Sequence, residues 1–197
     1  GTNNLINSLI KKENKPKWLF FSSTSHVYKP LDKFKKISEK SKLDPASKYG
    51  KTKILAEKLI LKKLKKYPIK VCIGRIFSFT DKKQKEPFVI PTIKKKLKNS
   101  KKKIVFKNIN HFRDFLSTDD IISAIYILMK TSKFGIYNIG SGKKFDLRKI
   151  VKLFNKNNKD IVFRNTERPT YLISNNNKLL KTKWCPSKFK DNIKYFY

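Results

Sequence analysis

The chain has 197 residues, 39% hydrophobic and 13% aromatic, which is enough for one domain or a little more around a buried core and well outside the disordered regime. Lys+Arg 49 against Asp+Glu 14 gives a formal charge of +35, yet only five of the basic residues are arginine and the lysines are scattered from Lys11 to Lys194; base reading and forked phosphate recognition favour arginine, so the charge argues for a solvated surface and against a specific nucleic-acid partner. No run approaches 18 uncharged apolar residues, Gly1-Thr-Asn-Asn4 lacks the features of a secretory signal, and two cysteines without CxxC spacing plus two histidines supply neither a disulfide framework nor a metal site, so a reduced, cytoplasmic protein with no membrane partner is expected.

In chain order, Leu5, Ile6, Leu9 and Ile10 fall at helical spacing over residues 2–13, and the short apolar run at 17–22 reads as a buried parallel strand. A lysine-rich loop with Pro30 and Pro45 follows. Residues 46–66 predict a long helix with Ala56, Leu59 and Ile60 inward, and 69–78 a second strand. Helix, strand, helix, strand with short connections is the rhythm of a parallel α/β sheet. After Asp81 the elements shorten. The patterns predict a helix over 88–98, a strand at 104–107, a strand-like Arg113–Leu116 entering a helix at 118–131, a strand at 136–139, a helix at 146–156, a strand at 161–164 and a last helix near 187–195. Ser117-Thr-Asp-Asp120 before Ile121 is good N-cap chemistry, with carboxylates at the positive end of the helix dipole. This second half reads as a smaller α/β lobe.

Tyr49 and Lys53 stand four apart on the predicted helix, so they share a face one turn apart. That spacing alone also fits a solvent face of a lysine-rich helix. Ser22-Ser23-Thr24 closes the first strand, at the end where α/β sheets hold ligands, although an ordinary strand-end turn would look the same. Taken together, Phe21-Ser-Ser-Thr-Ser-His-Val-Tyr28 and Pro45-Ala-Ser-Lys-Tyr-Gly-Lys-Thr-Lys53 resemble the extended short-chain dehydrogenase/reductase family, in particular its sugar-nucleotide epimerases, dehydratases and reductases. Gly1-Thr-Asn-Asn-Leu5, Arg75-Ile-Phe-Ser78, Arg113-Asp-Phe-Leu-Ser-Thr-Asp-Asp120, Tyr137-Asn-Ile-Gly-Ser-Gly142 and Arg168-Pro169 agree in the family's order, so the resemblance covers essentially the whole chain.

The resemblance implies an α/β fold: a partial Rossmann-like doubly wound parallel sheet over residues 1–80, its first strands missing, with a smaller C-terminal α/β substrate lobe over 81–197 interleaved with it. It implies NAD or NADP as cofactor, a nucleotide-sugar substrate and a homodimer at full length. Tyr49 would exchange a proton with a sugar hydroxyl as hydride moves, Thr24 would hydrogen-bond the same oxygen, and Lys53 would hold the nicotinamide ribose, with Ser22, Ser23 and Phe77 beside the cofactor. These residue types suit such chemistry, since a phenol titrates near ~10, and an ammonium at about 5 Å in a medium of dielectric about 20 is worth about 3 kcal/mol toward ionising one.

His26 follows Thr24 by two, where the family's 4,6-dehydratases carry an acidic residue, which disfavours dehydration; an imidazole could serve there as an additional acid/base, or simply pack or cap. Arg113 and Arg168 match arginines that contact the substrate diphosphate, against the simpler reading of a surface ion pair to Asp114 or Glu167. Ser78 falls where relatives often have asparagine, at a substrate contact. Gly140-Ser-Gly142 reads as a strand-end turn, not a phosphate loop. All six glycines lie outside a GxxGxxG turn, so the expectation is a piece lacking roughly the first half of the nucleotide-binding domain. Two rival readings remain at this point: a non-catalytic remnant serving a structural role, and a basic nucleic-acid-binding module.

Overall fold

A computed structural model describes residues 1–99 and 103–187; the last helix expected at 187–195 lies, beyond Ser187, outside the described residues. The elements run α1 (Thr2–Lys11), β1 (Trp18–Thr24), a 3-10 turn (Ser25–Val27), α2 (Lys48–Leu64), β2 (Lys70–Ile76), β3 (Ser78–Thr80), α3 (Val89–Asn99), β4 (Lys103–Lys107), β5 (Phe112–Arg113), β6 (Phe115–Ser117), α4 (Thr118–Lys130), β7 (Gly135–Ile139), β8 (Phe145–Asp146), α5 (Leu147–Phe154), β9 (Asp160–Arg164), β10 (Tyr171–Leu172) and α6 (Asn177–Leu180).

β1, β2 and β7 form a parallel sheet with β2 in the middle, Thr24 beside Ile76 and Ile76 beside Ile139 at its carboxyl end. Successive side chains of a strand leave on opposite faces, and here both faces are apolar, which is the signature of a sheet covered twice. Leu19, Phe21 and Val71 pack with Ile6 of α1 and Ile60 and Leu64 of α2 on one face; Trp18, Phe20 and Cys72 pack with Ile121, Ala124 and Leu128 of α4 on the other. Helices on both faces of a parallel sheet make the doubly wound α/β arrangement that the resemblance implied. Since β7 and α4 belong to this sheet, the chain after residue 80 re-enters it.

The outer lobe is built on the parallel pair β4–β9, covered by α3 and α5. Ile90, Ile93, Leu97, Ile104, Phe106, Ile150 and Val151 make its core, all apolar. Two small sheets join lobe and main sheet: β3–β6, and β10-β5-β8.

Three departures from the sequence expectations have physical reasons. The strand expected at 69–78 breaks at Phe77, whose N–H donates to the Ile139 carbonyl before Ser78–Thr80 leave to pair with Phe115–Ser117; the chain changes sheet there. The strand expected at 113–116 breaks at Asp114, which is fully buried and accepts hydrogen bonds from the backbone N–H groups of Ser141, Gly142 and Ser174. Along α2, Ala56 and Leu59 are only half-buried, and the inward position between Ile54 and Ile60 belongs to Glu57. No helix among the described residues is long and apolar enough to cross a membrane.

Candidate functional site

The carboxyl end of β1 turns immediately into the 3-10 turn, capped by Thr24 Oγ1 accepting from the His26 N–H at 3.3 Å. That bond leaves Thr24 its own hydroxyl proton to donate. Thr24 is 6% exposed. The amino end of α2 lies against this turn: Ser47 caps the helix through a 3.0 Å bond from the Gly50 N–H, and a Cβ at Gly50 would overlap the His26 carbonyl oxygen. Glycine beside Tyr49 therefore allows α2 to approach the tip of β1 directly.

Tyr49 sits on that first turn, 54% exposed, with its ring edge-on to the His26 ring at 6.2 Å. One turn on, the Lys53 ammonium lies 5.8 Å from the centre of the Tyr49 ring and donates to the Ser22 carbonyl at 2.8 Å. Tyr49, Lys53, Ser22, Thr24 and His26 are thus brought together at the carboxyl end of the sheet, the end at which parallel α/β sheets hold ligands.

Beneath this group runs a buried polar network that sequence reasoning missed. Glu57 and Arg75, 3% and 2% exposed, form a two-pronged ion pair at 2.6 to 3.2 Å. The Ser23 hydroxyl donates to Glu57, Arg75 Nη1 donates to the Tyr28 hydroxyl at 2.8 Å, and that hydroxyl donates to Asn138 Oδ1 at 2.8 Å. Burial alone would lower the pKa of Arg75, but its bonds to Glu57 and Tyr28 hold it above the usual value; burial dominates at Tyr28 and raises its phenol. A signal did exist: Glu57 is an acidic residue on the apolar Ile54–Ile60–Leu64 stripe of an otherwise basic helix, in a chain with only 14 carboxylate side chains.

Two of the expected cofactor neighbours are turned elsewhere. Ser23 is buried with its hydroxyl committed to Glu57, and Phe77 is enclosed with Val27, Tyr28, Ile54 and Leu172 rather than presented at a surface. Ser78 is half-buried on β3, opposite Phe115.

Among the described residues Arg113 makes no ion pair; its guanidinium donates to the Phe112 and Thr170 carbonyls at 2.8 and 3.1 Å and to Thr170 Oγ1 at 3.2 Å. Burial pulls it down to about 10, and its charge reaches His26 and His111, both of which sit below the ordinary histidine value chiefly through burial and then through Arg113. A half-buried cation held only by neutral acceptors keeps its charge uncompensated and can receive an anion. Arg168 is exposed, on a loop anchored by Asn108 and Asn110 through residues 166 and 167; the same loop continues to Thr170, the partner of Arg113. Neither arginine pairs with Asp114 or Glu167: Asp114 is engaged by Ser141, Gly142 and Ser174, and Glu167 lies near His111 at 3.8 Å.

A cavity of about 740 Å³ lined by Lys15, Lys17, Tyr67 and Lys70 opens at the opposite, amino end of β1 and β2, away from these residues. Among the described residues no group of three or more His, Cys, Asp or Glu could hold a metal ion.

The sequence matches the family model described as GDP-mannose 4,6 dehydratase over residues 1–191. It is 30% identical over 144 residues to an uncharacterized UDP-glucose epimerase, YtcB, of Bacillus subtilis, an alignment covering 72% of this chain and 45% of that protein. In structure it resembles RMD of Pseudomonas aeruginosa, solved with NADPH (TM-score 0.86, 22% identity, 99% of this chain and 70% of that one). It also resembles the UDP-glucuronic acid 4-epimerase of Bacillus cereus, solved with UDP-glucuronic acid and NAD (TM-score 0.85, 23% identity, 100% of this chain and 64% of that one). At these identities the structural likeness is one of fold. The chain spans less than half the length of the curated relatives it matches.

Proposed function

The chain belongs to the GDP-mannose 4,6-dehydratase family, within the extended short-chain dehydrogenase/reductases, and from that premise we propose that it carries the proton-transfer and substrate-holding part of an NAD(P)-dependent sugar-nucleotide epimerase or reductase. The observation that carries this reading is the grouping of the Tyr49 phenol, the Lys53 ammonium and Thr24 at one strand end.

In the oxidative direction Tyr49 Oη takes the proton of a sugar hydroxyl while the carbon bearing that hydroxyl gives up its hydrogen with an electron pair; in reduction the phenol returns the proton. Thr24 donates its free hydroxyl proton to the same sugar oxygen and fixes its direction. The Lys53 ammonium, 5.8 Å from the centre of the Tyr49 ring, puts a positive charge on the same helix face as the phenol that gives up and regains the proton. The exposed Ser22 and Tyr49, with the half-buried Lys53, fit the nicotinamide-ribose end of NAD or NADP, which when bound supplies or accepts the hydride. Arg113, with Arg168 on the adjoining loop, suits the diphosphate of a nucleotide sugar.

The family is named for a dehydratase, but the position two after Thr24 carries His26 where a proton-abstracting carboxylate would be needed, which favours epimerisation or reduction. The protein containing this chain, incubated with NAD(P)H or NAD(P)+ and a panel of nucleotide-linked sugars and keto sugars, is expected to interconvert epimers without net change in the nicotinamide, or to reduce a keto sugar with stoichiometric oxidation of it. Conversion to a 4-keto-6-deoxy sugar would overturn the His26 argument. Absence of any hydride transfer would overturn the whole reading.

A further inference from the structure

Two consecutive residues at the end of β1 are tied to two residues one turn apart on α2. The Ser22 carbonyl accepts from Lys53 at 2.8 Å, and the Ser23 hydroxyl donates to Glu57. Tyr49, Lys53 and Glu57 therefore lie at i, i+4 and i+8 on one helix, and the last two hold the strand that bears Thr24. Arg75 closes the arrangement from β2: its guanidinium grips both Glu57 oxygens, so the carboxylate that receives Ser23 has a fixed position on three elements at once.

We propose that Glu57, acting through the Ser23 hydroxyl, is a positioning residue that sets the distance between the Lys53–Tyr49 face of α2 and the Ser22–Thr24 end of β1. The proposal rests on the proton-transfer reading of Tyr49 and adds to it the group that holds its geometry. Without the second tie, the side-chain link between α2 and β1 at this end is the Lys53 ammonium, on a flexible four-carbon stem that can follow a displaced carbonyl and so cannot define a separation. An error of about 1 Å between a proton donor and a reacting oxygen can lower a rate by about 100-fold.

The clean probe is Ser23→Ala, since it removes the tie and leaves the Glu57–Arg75 pair in place; Ser23→Thr restores a hydroxyl at the same atom. Two readouts on the full protein decide the matter. In amide hydrogen exchange, Ser23→Ala is expected to speed exchange in the peptides containing 22–24 and 49–53 together, with Ser23→Thr restoring them. In steady-state kinetics, Ser23→Ala is expected to lower kcat by about tenfold or more with KM for the nucleotide sugar within about twofold, and Ser23→Thr to regain most of kcat. A change confined to one of the two peptides, or kcat unchanged in Ser23→Ala, overturns the positioning role. If the wild-type protein transfers no hydride while Ser23→Ala still loosens both peptides, the tie between helix and strand stands and the enzymatic reading falls.

Discussion

The main sheet and the outer lobe are both parallel α/β units, but they are held together by different chemistry. The lobe packs Ile90, Ile93, Leu97, Ile104, Phe106, Ile150 and Val151 in a core of apolar side chains. The carboxyl end of the main sheet buries Glu57 and Arg75 with Ser23, Tyr28 and Asn138 in a chain of hydrogen bonds that crosses from β1 to β7. Apolar packing tolerates a change of shape as long as volume is kept, whereas a buried ion pair tolerates almost no change in either partner. The part of the molecule that brings a phenol, an ammonium and a threonine hydroxyl to one strand end is the part built from directional bonds.

Two near-isosteric substitutions probe that difference most strongly. Glu57→Gln leaves the Arg75 charge buried and uncompensated and is expected to lower unfolding free energy by about 3 kcal/mol or more, while Leu97→Met in the lobe is expected to lower it by less than about 1.5 kcal/mol. Urea midpoints converted with a common slope measure both. Equal losses would mean that the two cores are not different in kind.

Gly50→Ala comes next. The added methyl meets the His26 carbonyl oxygen, which is backbone and cannot swing away, so α2 must retreat from the 3-10 turn at about 1–3 kcal/mol. The same substitution at Gly1, where a Cβ meets nothing within 4 Å, is expected to leave the urea midpoint in place. Helix caps give a smaller and more even effect: Ser47→Ala on α2 and Ser117→Ala on α4, where Asp120 completes a capping box, are each expected to remove about 1 kcal/mol by the same denaturation measurement.

The smallest expected effect is on pH dependence. His26 and His111 have folded-state values below 6.5, so the unfolded chain binds their protons more readily and stability falls as pH drops below about 6.5 through the folded values. The chain has only two histidines, so their ring resonances can be titrated directly by NMR. Both are expected to move to higher pH in Arg113→Met, and pyrophosphate is expected to move them the same way in the wild type but not in that variant. A response to pyrophosphate that survives Arg113→Met would place the anion elsewhere.

The difference between the two regions also explains what could be read from the sequence. The lobe was legible almost element by element, because Ile90, Ile93 and Leu97, or Ile104 and Phe106, announce their inward faces by period alone. Of the candidate site, the sequence supplied Tyr49, Lys53 and Thr24 through spacing and resemblance, and the structure brings them to one strand end. It named Arg75 only as part of a motif and did not supply its pairing with Glu57, since a buried ion pair between a helix and a strand 18 residues apart leaves no periodic trace. Nor did it show that Ser23 faces Glu57 or that Phe77 is enclosed, because which way a strand-end side chain turns depends on partners distant in sequence. The two-residue strands β5, β8 and β10 are set by pairing with one another and with the 31–37 segment, through Leu31 with Tyr171 and Ile37 with Ser174, and have no local pattern of their own.

At the centre of the proposed function is the exchange of the substrate proton by the Tyr49 phenol. Tyr49 is half-exposed, and its hydroxyl has no hydrogen-bond partner among the described residues, so Tyr49→Phe leaves packing in place and removes one oxygen. Measured on the full protein with NAD(P)H and a nucleotide-linked keto sugar, this substitution is predicted to lower kcat by about 100-fold to 10,000-fold with KM little changed and the urea midpoint unmoved. A Tyr49→Phe protein that keeps its kcat would contradict that role.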